Sequence, residues 1–241
     1  MITFNQVIIG HEKPLFEVKL NQLESGKVYA LIGSNGSGKS TFIQTLFNEI
    51  VPVKGEIYLN QKELKLYSKR ELALNLAFVP ARFPEVEFMK VKDFIGLGRT
   101  PYLNAFGTKT EKDLEIIEHF IQLLDIQHLA DKFTTELSDG ERQLCAIAKA
   151  LTQETPIILL DEPTAFLDYK NKQRIIDILE QLANELNLLI LFSTHDLSSI
   201  AKQTIQKIGI EANTQSNEIL PKMLPINEQF PFDNLLDKFY K

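Results

Sequence analysis

Gly33-Ser34-Asn35-Gly36-Ser37-Gly38-Lys39-Ser40-Thr41 fits the pattern G-x-x-x-x-G-K-[ST] at every fixed position. Its flanks carry the reading further. Val28-Tyr29-Ala30-Leu31-Ile32 is a short apolar run that predicts a buried strand, and Phe42, Leu46 and Phe47 continue at helical spacing. In such a turn the glycines let the backbone close around phosphates, so that N–H groups converge on an anion at a helix N-terminus. Lys39 is then placed to reach the terminal phosphates, and the Ser40 hydroxyl to ligate Mg²⁺. A glycine-rich turn that only caps a helix is the plainer alternative. It leaves the strand, Lys39 and Ser40 unexplained together. The stretch predicts a site for a nucleoside triphosphate.

The rest of the chain is that of a globular protein. It has 241 residues, 44% hydrophobic and 24% charged, enough for one large domain with a sizeable core. The net charge of −6 disfavours a phosphate-backbone partner, so no nucleic acid is expected. The lone Cys145 excludes an internal disulfide and Cys-x-x-Cys zinc clusters; flanked by Leu144, Ala146 and Ile147, it reads as a small buried hydrophobe. Met1-Ile2-Thr3-Phe4 lacks the character of a signal peptide, and no apolar run approaches the roughly 18 residues that span a bilayer. The expectation is a cytoplasmic protein, peripheral to the membrane only through a partner.

Short apolar pieces between Ile2 and Leu20, broken at Gly10 and Pro14, predict antiparallel edge strands. A strand is expected from Gly55 to Asn60, a capping box at Ser68-Lys69-Arg70-Glu71, and a strand over Leu76-Ala77-Phe78-Val79-Pro80. Residues 82–152 change texture. Thr110-Glu111-Lys112-Asp113 caps a helix with Leu114, Ile117, Ile121 and Leu124 on one face, and a second helix after Ser138 buries Leu144, Ile147, Ala148 and Leu151. Strands return at Ile157-Ile158-Leu159-Leu160 and Leu188-Leu189-Ile190-Leu191-Phe192, around a helix with Ile175, Leu179, Leu182 and Leu186 on one stripe. The alternation predicts an α/β fold: a phosphate-loop core (residues 1–81 and 153–212) with a mostly parallel sheet and an antiparallel edge, and an inserted helical lobe (82–152). The tail, 213–241, ends near Phe230-Pro231-Phe232 and has no readable role.

Two further motifs bear chemistry. The strand ending in Asp161-Glu162 sets two carboxylates at the carboxyl edge of the sheet, where the phosphate loop also lies. Asp161 is expected to hold Mg²⁺ through a water, and Glu162, on the other side of the strand, to accept a proton from an attacking water. Leu137-Ser138-Asp139-Gly140-Glu141-Arg142-Gln143 opens the lobe's second helix. Ser138 and Glu141 make a capping box by themselves, yet a helix N-terminus with serine and glycine also suits a γ-phosphate from another subunit.

Taken in order, these residues resemble the ATP-binding-cassette (ABC) ATPases. The phosphate loop, the LSGGQ-like signature at 137–143, the Walker B strand with its glutamate, Ala165-Phe166-Leu167-Asp168 as the D-loop, and Ser193-Thr194-His195-Asp196 with the switch histidine all fall in the family's sequence. The resemblance implies a homodimer that sandwiches two ATP molecules. Lys39, Ser40, Asp161, Glu162 and His195 of one copy would act with Ser138, Asp139, Gly140 and Glu141 of the other, and Asp168 would communicate between the sites. His195 would contact the γ-phosphate and position Glu162; alone it would read as a satisfied strand-end histidine. Asp139 replaces a glycine of the usual signature, but Ser138 and Gly140 stay.

Gly96-Leu97-Gly98-Arg99-Thr100-Pro101-Tyr102, with Phe106-Gly107 and Asp113, looks like the ATPases of importers for iron–siderophore, haem and cobalamin. That likeness implies integral-membrane permease partners and, indirectly, a periplasmic or surface substrate-binding protein. The ATPase of another ABC transport system, such as an exporter, and a non-transport ABC regulator stay open beside it. Two positions depart from the family. Ala81, followed by Arg82-Phe83-Pro84, stands where a glutamine usually contacts Mg²⁺ and the attacking water. The adenine-stacking aromatic is missing near Gly10, with His11 or Phe16 as substitutes. The family's closing glycine-containing hairpin is also not legible after His195.

Overall fold

Alternating apolar residues on the central strands are what hold the two faces of the molecule together. In the computed structural model, which describes residues 1–82, 86–200, 205–211 and 220–226, eleven strands form one sheet. They are β1 (Ile2–Gly10), β2 (Pro14–Val18), β3 (Gln22–Leu23), β4 (Val28–Ile32), β5 (Lys54–Leu59), β6 (Lys62–Glu63), β7 (Leu76–Val79), β8 (Ile157–Leu160), β9 (Leu189–Thr194), β10 (Gln206–Ile210) and β11 (Lys222–Ile226). Their order is β6-β5-β1-β2-β11-β10-β4-β9-β8-β7, with β3 on β1. Strands β10, β4, β9, β8 and β7 are mutually parallel, and β1, β2, β3, β5 and β6 pair antiparallel.

Both faces of the parallel half are covered. Ala30, Ile32, Ile158, Leu160, Ile190 and Phe192 point to one core and Tyr29, Leu31, Ile157, Leu159, Leu189 and Leu191 to the other, as a period of two requires. The first core is closed by helices α3 (Val91–Gly96), α4 (Glu111–Leu123), α5 (Asp139–Thr152) and α6 (Tyr169–Glu185). The second is closed by α1 (Lys39–Leu46), through Phe42, Ile43 and Leu46, and by the antiparallel strands. Short α2 (Lys69–Ala73) and α7 (Leu197–Ile200) complete the helices described. Helices α3 to α5 lie between β7 and β8, which are neighbours in the sheet, so they occupy one long crossover.

The structure corrects several expectations. Strands β1 and β2 are not edge strands: β1 is flanked by β5 and β2, and the sheet's ends are β6 and β7. The segment with no readable role supplies β11, which pairs antiparallel with β10 and parallel with β2. A closing hairpin with a glycine therefore exists: Gly209 of β10 pairs with Leu224 of β11, and Met223 is fully buried. Leu114 is 56% exposed, its place on the buried face of α4 taken by Phe120, and Leu186 is exposed at the end of α6. Cys145 is buried, and desolvation pushes its thiol up to about 12, so it is inert. Phe83-Pro84 and Phe230-Pro231-Phe232 lie outside the described residues.

Candidate active site

The carboxyl ends of β4, β8 and β9 are adjacent, because β4 pairs with β9 and β9 with β8. The segments leaving these three strands therefore converge: the phosphate loop after β4, Asp161-Glu162 after β8, and His195 after β9.

Residues 33–38 turn from β4 into α1 through Gly36 (φ +80°) and Gly38 (φ +100°). Only glycine takes these angles cheaply, and a Cβ on Gly38 would press on the Phe16 ring below it. Lys39 is buried and donates from Nζ to the carbonyls of Gly33 (2.9 Å) and Ser34 (3.2 Å). Burial lowers its ammonium pKa, opposed by the nearby Glu162 and Asp161 carboxylates. Ser37 Oγ is buried without a hydrogen-bond partner, an acceptor and donor held inside the loop.

Strand β8 ends at Leu160, and the chain then leaves the extended conformation. Asp161 Oδ2 accepts from Ser40 Oγ at 3.0 Å, and Oδ1 accepts from Ser193 Oγ at 2.6 Å. Glu162 takes φ +45°, a strained angle for a residue with a side chain, costing on the order of 1–3 kcal/mol. Ser193 Oγ accepts the Glu162 N–H at 2.8 Å and helps hold that turn. The consequence is a correction: Glu162 does not point away from Asp161 across the strand. Its Oε1 lies 3.8 Å from Lys39 Nζ and 3.2 Å from His195 Nδ1, in the same crevice. His195 is about half exposed, whereas Ser193 and Thr194 before it are buried.

The signature lies on a different element. Ser138 is the N-cap of α5, and its hydroxyl donates to Glu141 Oε2 (2.7 Å) while accepting the Glu141 N–H (3.4 Å). Lys132 faces Glu141, and Arg142 faces Asp139. Asp139, Arg142, Gln143 and Glu162 share a cavity of about 230 Å³ with Ala81, Arg82 and Phe166. Ser138, Gly140 and Glu141 open instead on a second cavity, of about 240 Å³, with Asn171 and Arg174. The structure thus brings together the phosphate loop, Asp161, Glu162 and His195, and leaves Ser138 and Gly140 facing elsewhere. Asp168 caps α6 through the Asn171 N–H at 2.8 Å.

Phe16 is ruled out as an adenine platform. It is fully buried and packs on Phe42 with ring centroids 6.4 Å apart, whereas His11 is exposed. Ser193, which clamps both Asp161 and the Glu162 backbone, escaped sequence reasoning. Its signal was a small polar residue closing the otherwise apolar Leu189-Ile190-Leu191-Phe192 run. The set can bind a polyphosphate, place oxygen ligands beside it, and present a carboxylate with an adjacent imidazole.

Comparison with known proteins bears on the fold and the family. The ABC transporter family model matches residues 17–165. The iron(3+)-hydroxamate import ATP-binding protein FhuC of Bacillus subtilis is 30% identical, over 98% of this chain and 92% of its own. A structure described as the inward-facing conformation of a metal-chelate type ABC transporter superposes with a TM-score of 0.81 at 27% identity, covering 99% of this chain and 88% of that one. The dimeric structure of MJ0796, a bacterial ABC transporter cassette, gives a TM-score of 0.72 at 25% identity, covering 87% and 94%.

Proposed function

This chain belongs to the ABC transporter family and carries its ATPase domain, and from that premise we propose that it powers import of a metal chelate, an iron–siderophore, haem or cobalamin-type compound, through a partner permease. The observation that carries the chelate assignment is likeness over nearly the whole chain to a hydroxamate importer's ATPase and to a metal-chelate type transporter. The motif from Gly96 to Tyr102 supports the same class.

In this reading two copies meet head to tail. Ser138 and Gly140 line a cavity with Asn171 and Arg174 to which no phosphate-loop residue contributes, which supports a signature that serves the nucleotide of another copy. On nucleotide arrival the Ser138 hydroxyl exchanges Glu141 for a phosphate oxygen, and the α5 N-terminus favours that anion. Lys39 turns from the Gly33 and Ser34 carbonyls to the terminal phosphates. Ser40 and Asp161 are hard oxygen donors 3.0 Å apart, a set that fits Mg²⁺, which supplies charge neutralisation on the phosphates when bound. Glu162 takes the proton of the attacking water, and His195 fixes the Glu162 carboxylate and the water's line of approach. Asp168, capping α6, carries the state of one site to the other. His11, exposed in the turn between β1 and β2, is the residue left to stack on adenine.

Ala81 has no ligating atom, and Arg82 repels a cation, so hydrolysis or its coupling to the permease is altered relative to a glutamine-bearing chain. The core, lobe and tail boundaries at 81/82, 152/153 and 212/213 belong to the same proposal. A mild cross-link and pull-down from the membranes of its own cells, read by mass spectrometry, tests the transport assignment. Recovery of a many-helix permease of the importer type supports it; recovery of an exporter-type permease or of soluble proteins alone overturns it.

A further inference from the structure

The segment that carries His195 is held from outside the crevice by α6. Lys172 and Gln173, adjacent residues on the first turns of α6, reach across to it. Lys172 Nζ lies 2.7 Å from Asp196 Oδ2, and the two side chains are only 20% and 22% exposed. Gln173 Nε2 donates to the Ser199 carbonyl at 2.8 Å. Within the segment, Asp196 N donates to Thr194 Oγ1, and Asp196 Oδ1 accepts the Ser199 N–H, so Asp196 is fixed at both its backbone and its carboxylate. Lys172 N in turn donates to the Asp168 carbonyl, which ties the ion pair to the loop that starts at Asp161.

These links form a ring. Glu162 runs by six residues of chain to Asp168, through the first turn of α6 to Lys172, across the ion pair to Asp196, and back through His195 to Glu162 Oε1 at 3.2 Å. Within such a ring, displacing Asp168 and the start of α6 changes where the imidazole stands against the carboxylate. A pair shielded this far from water keeps a defined geometry better than an exposed one. We propose that Lys172 is a positioning residue for ATP hydrolysis: through Asp196 it sets His195 against Glu162 and transmits movement of the α6 N-terminus to that contact. The inference rests on the reading that His195 works with Glu162.

The test is steady-state ATP hydrolysis by the whole protein as Lys172→Met, Asp196→Asn, the double variant, Lys172→Arg and His195→Ala, each confirmed folded by thermal melting. Misplacing a positioned group lowers kcat by roughly ten- to a hundredfold while binding persists. We expect that loss in Lys172→Met and in Asp196→Asn, with KM for ATP unchanged within about twofold. The double variant should be no slower than either single one, and Lys172→Arg should recover most of the rate. An unchanged kcat in Lys172→Met, or losses that multiply in the double variant, overturns the proposal. A normal kcat in His195→Ala instead removes the reading it rests on, whatever Lys172→Met does.

Discussion

At φ +45° Glu162 sits where side-chain-bearing residues rarely do, and the turn aims its carboxylate between Lys39 and His195. Strain retained at this position fits a residue selected for aim rather than stability. Replacing it by glutamine keeps the shape and removes the proton acceptor. Glu162→Gln should lower the hydrolysis rate by about 10²–10⁴-fold while ATP binding persists, and Mg-ATP should then trap a species of twice the protomer mass in solution. Absence of that species would count against the head-to-tail sandwich. Ala81 makes a second prediction at this scale. Ala81→Gln restores an oxygen ligand beside the cavity it shares with Glu162, so basal or permease-stimulated hydrolysis should change. Identical rates by both measures would show that the position is silent. The site was legible in the residues where chemistry is tied to local sequence, as in residues 33–41. It was not legible where a contact depends on how the chain turns after a strand, as for Glu162 and Ser193, because a single backbone angle cancels the alternation that the strand predicts.

Among the elements, the turn between α3 and α4 shows what a glycine- and arginine-bearing motif builds. Arg99 is 4% exposed, and its guanidinium donates to Asp113 Oδ1 (2.8 Å), the Thr152 carbonyl and Glu154, with its face 4.0 Å from the centre of the Tyr102 ring. Tyr102 donates in turn to the Gln153 carbonyl, and Gln153 donates to the carbonyls of Ala73 and Leu76. The start of α4, the end of α5 and the edge strand β7 are thereby fastened at one point. Removing the cation strands buried acceptors. Arg99→Met should cost about 3 kcal/mol and lower the melting temperature by roughly 6–12 °C, measured by calorimetry; a shift under about 2 °C would show the network to be dispensable. Asp113 supplies the pH test. Hydrogen bonds from Thr110, joined by Arg99, hold its carboxyl at about 2, below the ordinary 3.8. A depressed folded value stabilises above the unfolded one, so this contribution is complete above about pH 4 and is lost as pH falls towards 2. Asp113→Asn should flatten the acid-stability curve in that window, and an unchanged slope would show that Asp113 is not its source. The motif's position was readable; its function as a fastening was not, since Thr152 and Glu154 lie 53 and 55 residues away.

For the whole molecule, the sheet sets which chemistry can meet. Because β4, β9 and β8 are neighbours, loops from three distant parts of the chain share one crevice, while Ser138 and Gly140 at the start of α5 line a separate cavity. Apolar runs announced the parallel strands, but not that β11 would join β2 to β10. Short strands of mixed polarity such as Lys222–Ile226 carry little local signal and are fixed by their neighbours. Among the described residues no helix is long and apolar enough to cross a membrane. The most direct test is uptake in cells that lack this chain, supplied in turn with a labelled ferric siderophore, haem or cobalamin. Uptake of one chelate class should be lost, the wild-type chain should restore it, and Glu162→Gln should not. Normal uptake of all three, or full restoration by Glu162→Gln, would contradict the proposed import of a metal chelate.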